Sequence, residues 1–321
     1  MTDLRGEGMG NNFENMIFVA NMGEDTISVV DITNTIELYK IGLNEEYFHK
    51  VRKPTLGPHH MIIDYNKKYL YITNSHNGSI SIVDLIKNKV IDNIYVGSCP
   101  SHMVLSKKNK SIYVSNTDSN SISVLSMEKK ELLAQIPVGR MPHDIQLSKD
   151  HKKLYVANVD SNTLTIIDTI TNDIEKSIHV HGNPYHIALN KDGSLIFIVN
   201  TSFSSRQGGS ITILDSKDLK VIERIRIGKM PIEAVIGKDE KILYITDAEL
   251  NAVNVLNIRE KRLMDRVYVG RMPGSIKKDH KGQYLFVGNM QDNSLTVIDA
   301  KALKILKTIP VGIEPSGILC I

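Results

Sequence analysis

Residues 142–180 read PHDIQLSKDHKKLYVANVDSNTLTIIDTITNDIEKSIHV, four short β-branched runs separated by polar turns. HDIQLS alternates apolar and polar residues, as a half-buried strand does. KDHKK is a turn, and LYVAN is a second strand. VDSN is rich in the residues that favour tight turns. LTIID is a third strand, TITND another turn, and IEKSIHV a fourth strand. About forty residues carrying four strands is the length of one propeller blade.

The same unit recurs along the chain. Its second strand appears as IFVAN, LYITN, IYVSN, LYVAN, IFIVN, LYITD and LFVGN, with the aromatic at Phe18, Tyr71, Tyr113, Tyr155, Phe197, Tyr244 and Phe286. Successive aromatics lie 53, 42, 42, 42, 47 and 42 residues apart. The proline that opens the first strand recurs at 58, 100, 142, 184, 231, 273 and 315. Seven copies of both markers predict an all-β, seven-bladed β-propeller of four-stranded antiparallel blades. One blade cannot cover both its faces, so a ring of seven supplies the core. The chain starts at a second strand and finishes on a lone first strand, EPSGILCI. Residues 315–321 are therefore expected to complete the blade begun by residues 16–42, which removes an open sheet edge. The expected organisation is a flexible tail over 1–15 and one propeller domain over 16–321.

LYITNSHNGSISIVD (70–84), IYVSNTDSNSISVLS (112–126) and LYVANVDSNTLTIID (154–168) resemble the repeat of the YVTN β-propeller family. The resemblance covers residues 16–321 and implies the fold strongly. It implies little about activity, because that family includes surface proteins, binding proteins and enzymes. It also implies a turn-pinning role for Asn21, Asn74, Asn116, Asn158, Asn200 and Asn289, with Asp247 standing in one copy.

Function is sought where the copies disagree. The second residue after the repeat proline is His60, His102, Asp144, His186, Glu233, Ser275 and Gly317 in ring order. The family usually carries glycine or another small residue there. Three histidines and two carboxylates on consecutive blades beside the channel form a ligand set suited to copper, iron or zinc. The expectation is a metal-dependent enzyme, an oxidoreductase in preference to a hydrolase. His60, His102, His186, Asp144 and Glu233 would be its metal ligands, with Asp144 and Glu233 doubling as an acid–base pair. A solvated belt of polar residues around the channel mouth is the plain alternative for the same residues.

Two insertions break the 42-residue period on this face: LNEEYFHKVRKPT (43–55) and SFSSRQGG (202–209). Loops over a fixed scaffold commonly carry specificity. Tyr47, Phe48, His49, Lys50 and Arg52 are candidates for a lid, and His49, Arg52 and Arg206 for substrate contacts. Cys99, Met141, Met230 and Met272 precede the proline in four copies; thioethers there either bind a soft metal or fill gaps. His59 and His143 follow the proline directly and rank behind the others. His151 and His280 fall on the opposite face. Cys99 with His102 makes a weak nucleophile–base pair. There is no Gly-rich phosphate loop, G-x-S-x-G elbow or C-x-x-C pair.

Composition bounds the remaining choices. The chain of 321 residues is 41% hydrophobic and 23% charged, with a net charge of +3 and 6% aromatics. That composition offers little of the basic surface and few of the stacking platforms that nucleic-acid binders use. No run reaches the roughly 18 apolar residues of a membrane helix, and the polar start lacks the apolar centre of a secretory signal. The expected partner is a small-molecule or peptide substrate, with no membrane, in the cytoplasm. A non-catalytic scaffold that binds a peptide or protein is the competing reading.

Overall fold

Every innermost strand begins at the repeat proline or one residue before it, and these strands neighbour one another in a closed circle. In ring order they are Pro315–Cys320, Pro58–Ile63, Pro100–Ser106, Pro142–Leu147, Asn183–Leu189, Pro231–Ile236 and Pro273–Lys278, the last returning to the first. The blades they open are numbered 1 to 7 below. The structure, a computed structural model, describes residues 13, 15–44, 56–203 and 208–321. Those residues form seven four-stranded antiparallel sheets. Blade 1 joins both ends of the chain: Phe18 pairs with Leu319 and Val19 with Ile318, so the expected closure is present. Among the described residues the only helical segment is a 3-10 turn, Met290–Asp292, and no helix is long and apolar enough to cross a membrane.

The second and third strands of each blade are buried on both faces, while the fourth is mostly exposed. Apolar residues of adjacent blades interlock. Tyr155 and Ile166 of blade 4, for example, pack against Ile187, Ile196 and Ile198 of blade 5. Each fully buried side chain of this size contributes about 1.5–3 kcal/mol, and there is one such cluster for each neighbouring pair of blades.

The repeated asparagine acts as a clasp between strands. Asn74 Nδ2 donates to Ser79 Oγ at 2.9 Å and Ser81 Oγ at 2.7 Å; Asn289 Nδ2 donates to Ser294 Oγ at 3.0 Å and Thr296 Oγ1 at 2.8 Å. In blade 6 the polarity is reversed. Asp247 can only accept, and Asn254 replaces the Ser or Thr and donates to it at 3.4 Å. Gly228, at φ 62, sits where any Cβ would collide with the Asp247 carboxylate.

A bulge follows every repeat proline. Pairing passes from Pro58↔Asn74 to Met61↔Ile72, from Pro142↔Asn158 to Ile145↔Val156, and from Pro231↔Asp247 to Ala234↔Ile245. Three steps on the inner strand thus match two on its partner. A bulge re-aims the side chains it contains, and here it brings both residues after the proline to the channel mouth.

Candidate functional site

The second residue after the proline has the same task in four blades: its side chain accepts a backbone N–H from the next blade. His60 Nδ1 takes Met103 N at 3.4 Å, Asp144 Oδ2 takes Ile187 N at 2.7 Å, His186 Nδ1 takes Ala234 N at 3.4 Å, and Glu233 Oε2 takes Ile276 N at 3.1 Å. Asp144 also accepts its neighbour Ile145 N through Oδ1 at 2.8 Å, which leaves His102 Nδ1 without a partner. Ser275 Oγ has none either. Position 317 must be glycine, because a Cβ would run into the His59 carbonyl oxygen.

These bonds do not support the metal reading. Among the described residues no group of three or more His, Cys, Asp or Glu is disposed to hold a metal ion. His60, His102, His186, Asp144 and Glu233 do not aim free donors at one point. Both Asp144 oxygens and one nitrogen each of His60 and His186 are spent on amides, and both Glu233 oxygens are engaged. The residues therefore do not fit a copper, iron or zinc centre, and the expected oxidoreductase lacks the ligand set on which it was argued. The belt alternative is nearer the geometry, although its partners are backbone amides of the next blade.

What the mouth does contain is a cavity of about 240 Å³. One side is built by His59, His102, His143, Tyr185, His186 and Glu233, the other by Met22, Met230, Ile232, Met272 and Met290. His60 and Asp144 are not among the lining residues. His59, His102 and His143 face one another with ring centroids 5.4, 4.8 and 5.8 Å apart, and the His143 ring stacks on Tyr185 at 3.7 Å. His143 Nδ1 lies 3.0 Å from the Tyr185 carbonyl oxygen. A carbonyl only accepts, so Nδ1 carries the hydrogen and Nε2 is the nitrogen left for a ligand. His59 Nδ1 and His102 Nδ1 are buried with no partner.

Electrostatics keep these imidazoles neutral near pH 7. Burial, then Lys277, pushes His60 down to about 3; burial, then His59, pushes His143 down to about 3. Burial also lowers His59, and with His60 and His143 takes His102 well below the ordinary value. Behind them lies a charged group. Burial works to raise the Glu233 carboxyl, but the paired Lys277 ammonium and His186 outweigh it and hold the carboxyl low. His186 Nε2 sits 3.5 Å from both Asp144 Oδ2 and Glu233 Oε1. Since Nδ1 accepts an amide, Nε2 carries the proton toward those carboxylates. Burial raises Asp144.

Sequence reasoning undervalued or missed several of these residues. His59 and His143 were ranked behind the others, yet the bulge turns both into the cavity. Lys277 was not singled out, although it is the one charge in a column otherwise filled by Ile62, Val104, Gln146, Ala188, Val235 and Leu319. Met22 and Met290 follow the clasp asparagine and were not noted. The lid candidates Tyr47, Phe48, His49, Lys50 and Arg52, together with Arg206, lie outside the described residues. Cys99 is not activated, since burial and then Asp118 raise its thiol.

Comparison with known proteins agrees on the architecture. The family model described as a lactonase, 7-bladed beta-propeller, matches residues 12–176. The one described as a YNCE-like beta-propeller matches residues 134–309. Each covers more than half of the chain, and neither is specific for the YVTN repeat. No curated protein matches. Among solved structures, a putative 6-phosphogluconolactonase from Bacteroides fragilis is 16% identical with a TM-score of 0.77, covering 98% of this chain and 99% of that one. Hydrazine synthase of Kuenenia stuttgartiensis is 21% identical with a TM-score of 0.75, covering 85% and 92%. The dihydro-heme d1 dehydrogenase NirN, in complex with DHE, is 14% identical with a TM-score of 0.66, covering 100% and 77%. At these identities the likeness concerns the fold alone. The chain belongs to the seven-bladed β-propeller family that the lactonase-type and YNCE-like models describe.

Proposed function

We propose that this propeller is a hydrolase of small cyclic esters, working by acid–base chemistry in the cavity at the channel mouth. The observation that carries the reading is the cavity walled by His59, His102, His143 and Tyr185, with His143 Nδ1–H spent on the Tyr185 carbonyl and Nε2 left for a ligand; such a wall suits a small polar molecule. The lactonase description of the matching family favours an ester as that molecule, as does the putative 6-phosphogluconolactonase of like fold.

The roles follow from the hydrogen bonds. His143, anchored through Nδ1–H on the Tyr185 carbonyl, takes a proton from water on Nε2 as the water oxygen bonds to the ester carbon. Of His59 and His102, a ring N–H donates to the ester carbonyl oxygen and an unprotonated ring nitrogen accepts from the water. Collapse of the tetrahedral adduct breaks the ring C–O bond, and the same proton passes from His143 to the departing alkoxide. The Glu233 carboxylate, whose charge favours a protonated His143, stabilises the transient imidazolium.

Hydrolysis of δ-valerolactone, dihydrocoumarin and glucono-1,5-lactone, followed by pH-stat, tests this. Turnover of at least one is expected, with kcat/KM about 10²–10³ lower in His143→Ala. Rates equal to buffer for all three, or an unaffected variant, would overturn the hydrolase.

A further inference from the structure

Four of the chain's twelve methionines, Met22, Met230, Met272 and Met290, line this one cavity. They come from three consecutive blades and face the imidazole side across the channel mouth. Two precede a repeat proline and two follow the clasp residue, so no single repeat position accounts for them. Met272 is held at φ 54, a left-handed conformation that favours glycine, and glycine does occupy the matching place in blade 2, at Gly57.

We infer that the substrate is a planar, aromatic-fused lactone, with the methionine wall holding the ring and the imidazoles holding the ester. The inference rests on reading the channel mouth as the substrate site. A thioether wall offers a polarizable apolar surface, and sulfur makes favourable contacts with aromatic rings. It offers almost nothing to the hydroxyl groups that a sugar lactone carries around its ring. Burying such groups without partners is unfavourable. Ile232 and Ala248 extend the apolar side. Tyr185 adds an aromatic face at the boundary between the two walls, and Phe203 continues it toward the rim, 6.3 Å away at 71°.

Size sets only an upper bound. At about 30 Å³ per liquid water, the cavity of about 240 Å³ has room for about eight waters, which limits the ligand to one or two small rings, below the size of drug-like ligands. Charge agrees with this class: among the described residues the lining includes no lysine or arginine, and Lys277 is already paired with Glu233. The described walls therefore fit an uncharged molecule whose polar atoms lie along one edge.

Two measurements on the full chain test the inference. In the first, kcat/KM for dihydrocoumarin is compared with that for glucono-1,5-lactone, with at least a tenfold preference for dihydrocoumarin expected. In the second, coumarin binding is titrated by calorimetry in the wild type, in Met230→Gln/Met272→Gln and in Met230→Leu/Met272→Leu. The glutamine pair should weaken binding at least tenfold, and the leucine pair should keep it within about threefold. The leucine pair also separates lost recognition from lost folding. A preference for glucono-1,5-lactone, or coumarin binding that is absent or indifferent to glutamine, overturns the substrate class and leaves the hydrolase standing. Coumarin binding with the expected methionine dependence, without hydrolysis of any lactone, upholds the planar ligand and overturns the hydrolase.

Discussion

The two halves of the channel mouth share one backbone plan and carry opposite chemistry. Blades 2–5 place His59, His102, His143 and His186 around the opening, while blades 6, 7 and 1 contribute Met230, Met272, Met290 and Met22. The second residue after the proline clasps the next blade through its side chain at His60, Asp144, His186 and Glu233, and at His102 it does not. In blades 7 and 1 that place holds Ser275, whose hydroxyl has no partner, and Gly317, pressed against a carbonyl. A repeated bulge presents two side chains per blade, and substitution alone makes one wall polar and the other soft. Within the polar half there is a further division. The first residue lines the cavity at His59, His143 and Tyr185; the second lines it at His102, His186 and Glu233 and joins blades at His60, Asp144, His186 and Glu233.

That contrast is most exposed by acid. Folded His60 and His143, both at about 3, refuse protons that the unfolded chain takes near the ordinary value of 6.5. Their stabilising contribution is full above about pH 6.5 and is lost as pH falls toward 3. The thermal midpoint should fall by on the order of 10 °C between pH 7 and pH 4. In His60→Gln/His143→Gln the fall should be much smaller, as read by circular dichroism; an equal fall in both proteins would show that these imidazoles do not govern it. Effects of a single clasp come next in size. Asp144→Ala removes the acceptor of two buried amides and should cost about 3 kcal/mol in urea unfolding. The equivalent change on the other side, Ser275→Ala, removes a hydroxyl that bonds to nothing and should change stability by less than about 0.5 kcal/mol. Similar costs for the two would erase the distinction between the halves.

The fold was legible because each blade restates it. The aromatic of LYVAN, the asparagine clasp and the proline recur at fixed positions, and a repeated unit cannot satisfy its faces except in a ring. The position of the site was legible from the same alignment, since residues 60, 102, 144, 186 and 233 break the pattern. Their task was not. Alternation along PHDIQL assigns neighbouring residues to opposite faces, and only the bulge after Pro142 lets His143 and Asp144 both reach the hub. Whether a histidine nitrogen meets an amide or a cavity depends on the next blade, whose amide lies 43 residues on from His60 and 48 from His186. Lys277 could have been found, as the single charge in an otherwise uncharged column. Met22 could not, because its place is otherwise held by Ser75, Thr117, Val159, Thr201 and Ala248, and only Met290 repeats it.

The central claim is that neutral imidazoles in this cavity await a polar ligand. Nitrogen-resolved NMR of the histidine rings at pH 7, with and without coumarin, tests it most directly. The account predicts neutral rings for His59, His102 and His143, and signals that move on addition while those of His151 and His280 on the opposite face stay fixed. Protonated rings at the mouth, or shifts confined to the opposite face, would contradict it.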